Sequence, residues 1–359
     1  MFNSFRTGGS QTYGLELARS LIEDGAQVTV MAKRGPLAEQ FRKAGAQVIA
    51  MRWREGIAFD HRGLRQQAAT TVSLGLLGLG LALSHGHKFD LVVASQPWPM
   101  FYASVFFRRT PVAAIYHGMT AVEYPPAYAN YTLKHINHHF AVSHETADQI
   151  LSVDATAKVL VIGNLFNSAD YWGDSRPWTK PRPRNAGLLV SVGTLTENKT
   201  DAVSTAIEWL REQPRWRLVI VGDGPMRPAL EDAVRRLEVS DRVRFEGSRT
   251  DTRPYYDLAS VVMGVGRVAL EAASRGVPVV IASDGRVFGA LNPSNRADAE
   301  LRNFTGRAAG SRKLSVKSLG LAIEDARHIS VTDRMLLAAS LETVGNPELL
   351  TQLLKQHAH

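Results

Sequence analysis

The 359-residue chain contains no cysteine. This absence excludes a disulfide framework and thiolate chemistry, and it suits a reducing cytoplasm. Long hydrophobic runs are also missing. The most apolar stretch, residues 72–83, is about twelve residues long, whereas a helix that spans a bilayer needs about twenty. Since no signal peptide is recognisable either, we expect a cytoplasmic protein.

Basic residues are in modest excess, because 42 Lys and Arg stand against 34 Asp and Glu and give a net charge of +8. This charge favours anionic partners such as phosphates or an anionic membrane face. Nucleic acid is not an expected partner, because the basic residues are spread out and no arginine-rich aromatic motif occurs. Residues 64–84 have the pattern of a long apolar helix. Such a helix either covers a sheet or touches a membrane, so a peripheral contact with the inner membrane face stays open.

The length and the alternation of strands and helices indicate two domains. A chain of this length is too long for one ordinary α/β domain, and its apolar share of 45% can fill two cores. Residues 27–31 and 47–51 read as strands with a helix at 37–44 between them, and a second such rhythm starts at residue 188. This rhythm predicts an α/β fold with parallel sheets.

The domain limits follow from composition. Residues 173–186 hold three prolines among charges and read as the linker. They separate an N-terminal domain, 1–172, from a C-terminal domain, 187–340. Residues 341–359 form a last helix that can pack back on the first domain. The strand that normally opens such a fold is weak, because residues 1–5 are few and polar, so it is either truncated or vestigial.

A glycine turn in the second half carries the clearest chemical pattern. Residues 259–263 end a buried strand, Gly264 and Gly266 allow a tight turn with exposed backbone amides, and a helix follows as far as Gly276. A helix that begins there directs free N–H groups and its positive dipole end at a ligand above the sheet, so we expect a phosphate. Glu271, near the helix start, could accept hydrogen bonds from sugar hydroxyls.

Two kinds of ligand fit this turn. The spacing Gly264-x-Gly266-x-x-Ala269, with Asp284 about twenty residues further on, matches the dinucleotide-binding fingerprint. The alternative is the donor site of a nucleotide-sugar glycosyltransferase with two Rossmann-like domains. The pattern also fits a glycine turn that only packs a helix on a strand.

Six further motifs follow one another in a definite order. They are Gly8-Gly9 before a helix, His117-Gly118 after a strand, Ser143-His144-Glu145 with Asn164, residues 192–199, the Val221-Gly222-Asp223-Gly224-Pro225 turn, and residues 243–247 at a strand end. In this order and spacing they resemble the large retaining family of GT-B glycosyltransferases that use nucleotide sugars (group 1, family 4-like). The resemblance covers nearly the whole chain. It implies two Rossmann-like, doubly wound α/β domains that face a cleft.

The resemblance also implies roles for particular residues. Gly8 and Gly9 would lie near the acceptor and the leaving phosphate, and His117 would hydrogen-bond the sugar. The donor contacts are expected from the second domain: Gly193, Thr194 and Lys199 around the phosphates, Gly247 at the nucleobase, Gly264, Val265 and Gly266 at the diphosphate, and Glu271 at the ribose. Lys199 and a second cation would stabilise the departing nucleoside diphosphate.

The implied reaction is hexosyl transfer with retention. The donor would be a UDP- or GDP-sugar, used as a substrate with no further cofactor, and the acceptor a glycan or lipid-linked molecule. Glycan, glycolipid or cell-envelope polysaccharide synthesis would be the setting. We expect no metal, because no Asp-x-Asp motif occurs and His135, His138 and His139 lack an acidic partner.

The sequence departs from the family pattern in three places. Met263 stands where the first of two paired glutamates is expected, and Thr194 stands in place of the clamp arginine. Arg267, beside the diphosphate position, could supply the missing charge; otherwise it turns to solvent or pairs with Asp284. Residues 284–310 do not follow the family pattern, and they could bring their own phosphate or acceptor contacts.

Three other functions stay open at this point. One is a nucleotide-sugar epimerase of the same fold, and another is a dehydrogenase that uses the dinucleotide fingerprint. The dehydrogenase is less favoured, because the fingerprint lies late in the chain and leaves Glu271 without a role. The third is a relative that binds nucleotide sugars without turnover, which the loss of the carboxylate at Met263 and the weak first strand would favour.

Overall fold

The computed structural model describes residues 1–6, 8–51, 89–118, 126–166, 168–171, 187–341 and 347–356. The predicted apolar helix at 64–84 and the predicted linker at 173–186 lie outside these ranges. The chain forms two compact units, one made of Met1–Leu165 with Gly345–His359 and the other of Phe166–Val344. Among the described helices, none combines the length and the hydropathy that crossing a bilayer requires.

The first unit is built on parallel strands. Its strands are β1 (Thr29–Lys33), β2 (Gln47–Met51), β3 (Val92–Ser95), β4 (Val112–Tyr116), β5 (His138–Ala141) and β6 (Val159–Val161), and its helices include α1 (Gly9–Glu23), α2 (Ala38–Lys43), α3 (Pro97–Phe106), α4 (Pro126–Lys134) and α5 (His144–Val153). β1 pairs with β2, and β3 to β6 form a sheet in sequence order. Every residue of β4 is buried, as expected for a parallel strand that is covered on both faces.

Residues 1–5 connect these two sheets. The Phe2 N–H donates to the Met31 carbonyl on β1 (3.0 Å), and the Ser95 N–H on β3 donates to the Met1 carbonyl (3.1 Å). The segment therefore lies where a first strand would lie, although only one isolated bridge forms in it. The weak first strand of the sequence is thus a short hydrogen-bonded segment.

His139 on β5 is buried in the first unit. Its Nδ1 lies 3.0 Å from the Tyr116 hydroxyl on β4, and the two rings are stacked. Burial lowers the pKa of His139 to about 4; the charge of Asp154 opposes this shift and His138 adds to it. The imidazole is therefore neutral at pH 7 and is costly to protonate in the folded protein.

We expect the free energy of unfolding to fall by about 2–3 kcal/mol as the pH drops from 7 to 4, because the unfolded chain binds a proton on His139 near pH 6.5 and the folded chain only near pH 4. Urea unfolding at several pH values measures this loss. His139→Asn should flatten the dependence in that window, while His328→Asn, at an exposed position, should not. An unchanged pH slope in His139→Asn would show that other groups cause it.

The second unit contains one seven-stranded sheet. Its strands are β7 (Leu188–Val192), β8 (Arg217–Val221), β9 (Val243–Gly247), β10 (Val261–Met263), β11 (Val279–Ser283), β12 (Arg286–Ala290) and β13 (Arg312–Lys313), and its helices are α6 (Asp201–Leu210), α7 (Arg227–Arg236), α8 (Arg253–Leu258), α9 (Arg267–Ser274), α10 (Arg296–Leu301), α11 (Val316–His328) and α12 (Val331–Ser340). The described part of this unit also contains two 3₁₀ turns, Ser168–Tyr171 and Glu197–Lys199. The strand order is β13-β12-β11-β10-β7-β8-β9. The prediction of an α/β fold with parallel sheets is confirmed.

The order of the strands places a topological switch point between β7 and β10. The chain runs from β7 outward through β8 and β9, then returns to the other side of β7 as β10 and continues to β11. β7 and β10 are parallel neighbours, so their carboxyl ends lie at the same edge. The connections after them leave in opposite directions, which opens a crevice where ligands bind in such folds.

The stretch after β11 is a β-hairpin. Asp284 and Gly285 form its turn with positive φ angles of 56° and 67°, and β12 runs antiparallel to β11. The Asp284 carboxylate accepts a bond from the Arg307 guanidinium at 2.6 Å and another from the Ser283 hydroxyl at 2.6 Å. Asp284 is therefore engaged within the hairpin region, which weakens the dinucleotide interpretation of this residue.

The last helix, α13 (Pro347–Gln356), packs within the first unit. Its Leu350 and Leu354 join the apolar cluster that contains Tyr13 of α1, and the Ser20 and Thr351 hydroxyls are hydrogen-bonded at 2.9 Å.

The boundary between the units also differs from the predicted limit after residue 172. Phe166 and the Ser168–Tyr171 turn belong to the second unit, where Phe166 and Tyr171 pack against its core.

Candidate functional site

Three glycines join the loops at the carboxyl ends of β7, β8 and β9. The Gly193 N–H donates to the Val221 carbonyl (3.0 Å), and the Gly222 N–H donates to the Gly247 carbonyl (2.9 Å). A Cβ on Gly222 would lie 1.9 Å from the Gly193 carbonyl oxygen, so a side chain at Gly222 would force these loops apart. Thr194, directly after the first glycine, stays exposed.

Lys199 lies on the connection after β7. It ends the 3₁₀ turn Glu197–Lys199, its side chain is exposed, and its backbone N–H donates to the Thr196 carbonyl at 3.0 Å. None of the ion pairs found within the described ranges involves Lys199. The loop therefore presents a cation on one side of the switch point.

The glycine turn after β10 differs from its expected form. The Gly264 N–H donates to the Val280 carbonyl (3.1 Å), and the Gly266 N–H donates to the Phe304 carbonyl (3.0 Å). The expectation that the turn exposes its amides is thus wrong for these two glycines. The Val265 amide is the one in this turn that has no hydrogen bond to the described part of the chain. Any phosphate contact of the turn itself would therefore rest on Val265.

At Gly266 the loop 303–307 causes this difference. Asn303 and Phe304 both have positive φ, 54° and 52°, and the Phe304 side chain is fully buried. The buried ring holds the loop against the start of α9, where its carbonyl reaches Gly266. These residues, which depart from the family pattern, therefore shape the turn through the backbone.

Glu271 on α9 is the centre of a buried hydrogen-bond network, with 7% of its surface exposed. Its Oε1 accepts from the Tyr171 hydroxyl at 2.8 Å and from Arg267 Nε at 2.8 Å. Its Oε2 accepts from the Tyr256 hydroxyl at 2.8 Å and lies 3.5 Å from the Thr252 hydroxyl. In this structure the carboxylate predicted to hold ribose is occupied by groups of its own unit.

Both tyrosines act as donors to this carboxylate. Burial, reinforced by the negative charge of Glu271, raises the pKa values of Tyr171 and Tyr256 above the usual tyrosine value. The hydroxyls therefore stay protonated, and charge-assisted bonds of this kind are about twice as strong as neutral ones.

Arg267 is buried beside Glu271. The two side chains are each 10% exposed and form an ion pair at 2.8 Å, and the guanidinium lies 5.6 Å from the centroid of the Phe166 ring. Arg267 therefore neither turns to solvent nor pairs with Asp284, which bonds Arg307 instead. Both alternatives for Arg267 are wrong, and its contact with a diphosphate stays a prediction.

Tyr171 is a member of this network that the sequence does not predict. Its carbonyl accepts a bond from the Arg275 guanidinium, which also bonds Asp257 at 3.0 Å, so the Ser168–Tyr171 turn is fixed to the end of α9. A tyrosine just before a proline-rich linker gives no sign of a partner about 100 residues away, because only the folded chain brings them together.

The end of β9, where the nucleobase is expected, carries a charged cluster. Gly247 has a φ of 69°, and the preceding Glu246 accepts bonds from the Tyr255 hydroxyl and from the Arg249 guanidinium, both at 2.8 Å. The Tyr255 hydrogen bond, more than the arginine, holds the pKa of Glu246 below its usual range. The carboxylate is therefore charged and oriented at this edge.

Three predicted residues lie in the first unit. His117 directly follows β4, with its Nε2 3.3 Å from the Ser95 hydroxyl and its ring edge-on to Tyr13 of α1 at 4.7 Å. Gly8 is the N-cap of α1, and Gly9 has open space where a Cβ would stand. The sheet edge and the start of α1 thus come together around His117, while the remaining predicted residues lie in the second unit.

Comparison with known proteins gives two family matches. Residues 186–293 match the family model described as Glycosyl transferases group 1, and residues 7–169 match the one described as Glycosyltransferase Family 4. Over 104 residues the chain is 38% identical to the lipopolysaccharide core biosynthesis glycosyltransferase LpsE of Rhizobium meliloti (strain 1021). That alignment covers 27% of this chain and 30% of LpsE, so it spans less than a third of the relative.

Solved structures resemble almost the whole chain. HepE from Anabaena, solved with UDP and glucose, is 17% identical, with a TM-score of 0.72 over 99% of this chain and 97% of HepE. Sucrose-phosphate synthase from Thermosynechococcus elongatus is 16% identical, with a TM-score of 0.68 over 98% of this chain and 92% of that one. At these identities the likeness concerns the fold, which is that of the GT-B enzymes.

Proposed function

Because the chain belongs to the group 1 and family 4 glycosyltransferases, we propose that it transfers a sugar from a nucleoside diphosphate sugar to a hydroxyl of a glycan or lipid-linked acceptor. The buried pair of Glu271 and Arg267 is the observation that carries this proposal. The pair lies at the carboxyl edge of the sheet, next to the switch point. Burying two charges is expensive unless they are fully bonded. The two tyrosines that bond the pair have raised pKa values, and perturbed ionisable groups at such an edge indicate a binding site.

In the proposed reaction the bond between the sugar C1 and the diphosphate oxygen breaks. The nucleoside diphosphate leaves with the bonding electrons, and the acceptor oxygen bonds C1 and gives its proton to the departing diphosphate. Lys199 on one side of the switch point and Arg267 on the other stabilise the charge that develops on the leaving group. His117 would hydrogen-bond the sugar, and retention at C1 is part of this proposal.

The donor would bind through its ribose to Glu271. Since that carboxylate already has four donors, a ribose hydroxyl must replace one of them. The Thr252 contact is the longest, at 3.5 Å, so we expect the ribose hydroxyl to replace Thr252. HepE has been solved with UDP-glucose, which supports a UDP-sugar as donor; a GDP-sugar is the alternative.

The setting would be the synthesis of lipopolysaccharide or a related cell-envelope polysaccharide, which the match to LpsE supports. The protein would work in the cytoplasm. A lipid-linked acceptor would bring it to the inner membrane face, and a net charge of +8 favours contact with anionic lipids there. Weaker sedimentation with anionic vesicles at higher salt would support that contact.

A relative that binds nucleotide sugars without turnover remains the second candidate. Met263 occupies the position of the first family glutamate and is buried in the core, with 2% of its surface exposed. It cannot offer a carboxylate to the donor sugar. A nucleotide-sugar epimerase, the other alternative, would convert the sugar without net release of nucleoside diphosphate. Release of nucleoside diphosphate only when acceptor is present would exclude both.

The test measures release of UDP or GDP from UDP-glucose, UDP-galactose and GDP-mannose, with and without lipopolysaccharide core oligosaccharide. Lys199→Ala should slow release by roughly ten- to a thousandfold, because one stabiliser of the leaving group is lost. Arg217→Ala removes an exposed cation at the start of β8, the opposite edge of the sheet, and should leave the rate unchanged. Equal rates for the two variants would contradict the role of Lys199.

Metal independence is a separate part of the proposal. Over the described ranges, no three His, Asp or Glu side chains gather as a metal site. Chelation with EDTA in the same assay should therefore leave the rate unchanged, and a loss of activity that Mg²⁺ or Mn²⁺ restores would contradict the proposal.

A further inference from the structure

Gln96 has a backbone conformation that side-chain-bearing residues avoid. It follows β3 and precedes Pro97, the first residue of α3, with a φ of 76° and a ψ of 153°. The following proline favours the extended ψ, but nothing in the local sequence requires a positive φ. Strain of this kind persists only where the surroundings impose it, and it clusters at functional sites.

The side chain of Gln96 is held at both ends of its amide. Its Oε1 accepts the Asn3 backbone N–H at 2.9 Å, and its Nε2 donates to the Ser10 hydroxyl at 3.2 Å. Ser10 in turn donates to Gln11 Oε1 at 3.0 Å. The strained backbone thus places the amide between the N-terminal segment and the first turn of α1. The amide has two N–H groups, and within the described part of the chain only one of them has a partner.

Other polar groups surround this amide. The neighbouring Ser95 is buried, and its hydroxyl lies 3.3 Å from His117 Nε2. Gly9 and Gly118 lie beside these residues in the chain, and no atom of the described residues comes within 4 Å of the place where a Cβ would stand on either glycine. Open space therefore adjoins a group of hydroxyl and amide functions. Neutral groups that both donate and accept suit a sugar hydroxyl better than an anion.

We propose that Gln96 binds a sugar hydroxyl through the second N–H of its amide, at the carboxyl edge of the sheet in the first unit. This role rests on the proposed glycosyltransferase function, which supplies two sugars, that of the donor and that of the acceptor. The backbone strain at Gln96 is kept because it aims the amide at that hydroxyl. Gln96 is then a substrate-binding residue that neither the sequence nor the family motifs single out.

The test compares Gln96→Gly and Gln96→Glu with the wild type. Glycine relieves the strain and removes the amide, and glutamate keeps the acceptor for Asn3 but lacks the N–H. If the amide binds the donor sugar, both variants should raise the KM for the nucleotide sugar, measured by release of UDP or GDP with acceptor present, at least tenfold, while the Kd of free UDP or GDP stays unchanged. If it binds the acceptor, both should lose saturation transfer in NMR to methyl α-glucoside, methyl α-galactoside or methyl α-mannoside.

Either result supports the proposal, and a change in neither measurement overturns it. Glu238→Gly is the matched control, because Glu238 also has a positive φ, 56°, but lies exposed in the second unit. It should relieve strain without any effect on either substrate. The melting temperature of Gln96→Gly should stay close to that of the wild type, so a purely structural role would not mimic the expected result. A wild type that binds no nucleotide sugar and releases no nucleoside diphosphate with any acceptor would instead contradict the proposed function, and the glycoside measurement does not depend on that function.

Discussion

Glu271→Gln should lower the free energy of unfolding of the second unit by about 3–5 kcal/mol, the cost of breaking a buried ion pair from one side. The amide cannot accept at both of its ends, so Arg267 or one of the two tyrosine hydroxyls loses its partner. The change in size is negligible, and the effect therefore reports the charge and the hydrogen bonds. Urea unfolding at pH 7, followed by tryptophan fluorescence, measures it.

The chain contains a matched control for this experiment. Arg296 and Glu300 on α10 have the same spacing of four residues and the same 2.8 Å contact, but their side chains are 23% and 38% exposed. Glu300→Gln should cost no more than about 1 kcal/mol, as for other exposed pairs. A cost for Glu271→Gln that is no larger than this would mean that the network around Glu271 contributes little to stability.

A second variant separates the ion pair from the tyrosine bonds. In an Arg267→Met background, Glu271→Gln should lower the free energy of unfolding by at least about 1–2 kcal/mol less than it does in the wild type. The reason is that this background has no buried guanidinium that could lose its charged partner. If the losses in the free energy of unfolding caused by the two substitutions simply add, the loss in Glu271→Gln comes from the Tyr171 and Tyr256 hydrogen bonds instead.

Local sequence signals predict the scaffold of the site well. Buried parallel strands read as apolar runs, so residues 259–263 and 277–282 identify β10 and β11 to within two residues at each end. Gly276 ends α9 with a φ of 65°, and Ser143 caps α5 by accepting the Thr146 N–H at 3.2 Å. These features depend on neighbours in the sequence, and they can therefore be predicted from it.

The contacts that decide the chemistry are long-range. Tyr171 bonds Glu271 from 100 positions away. The Phe304 carbonyl, in a loop that follows two further strands, accepts the Gly266 N–H. A motif gives the position of Glu271 but not its partners, because those partners are selected by the strand order. The strain at Gln96 is hidden for the same reason, since tertiary hydrogen bonds impose it.

The hairpin after β11 could have been predicted from the sequence. Asp284-Gly285 between two apolar runs is a strong signal for a two-residue hairpin, and the structure has that hairpin, with both residues at positive φ. The dinucleotide interpretation obscures the signal, because it gives Asp284 a different role. A turn dipeptide of this kind therefore deserves weight before a distant acidic residue is joined to a glycine motif.

Arg267→Ala should slow sugar transfer by roughly ten- to a thousandfold, the range for losing one electrostatic stabiliser of a transition state. In the proposed reaction Thr194 stands where the family resemblance implies a clamp arginine, so the charge that develops on the diphosphate would need a cation besides Lys199. Arg267 is the first residue of α9, and its bond to Glu271 holds the guanidinium at 10% exposure beside the helix start. A diphosphate placed there would meet a fixed positive charge, and fixing it in advance means that little reorganisation is needed during the reaction.

Two further measurements distinguish this role from a structural one. Arg267→Lys should recover only part of the rate, because an ammonium cannot form paired bonds and cannot reproduce the Nε contact with Glu271. Single-turnover rates at saturating donor, taken well below the melting temperature of each variant, remove the effect of lower stability. A purely structural Arg267 would lower stability in both variants and leave these rates equal to the wild type. Full activity of Arg267→Ala, with the fold intact by circular dichroism, would assign the charge to Lys199 alone or to Arg307, which must then leave its 2.6 Å pair with Asp284.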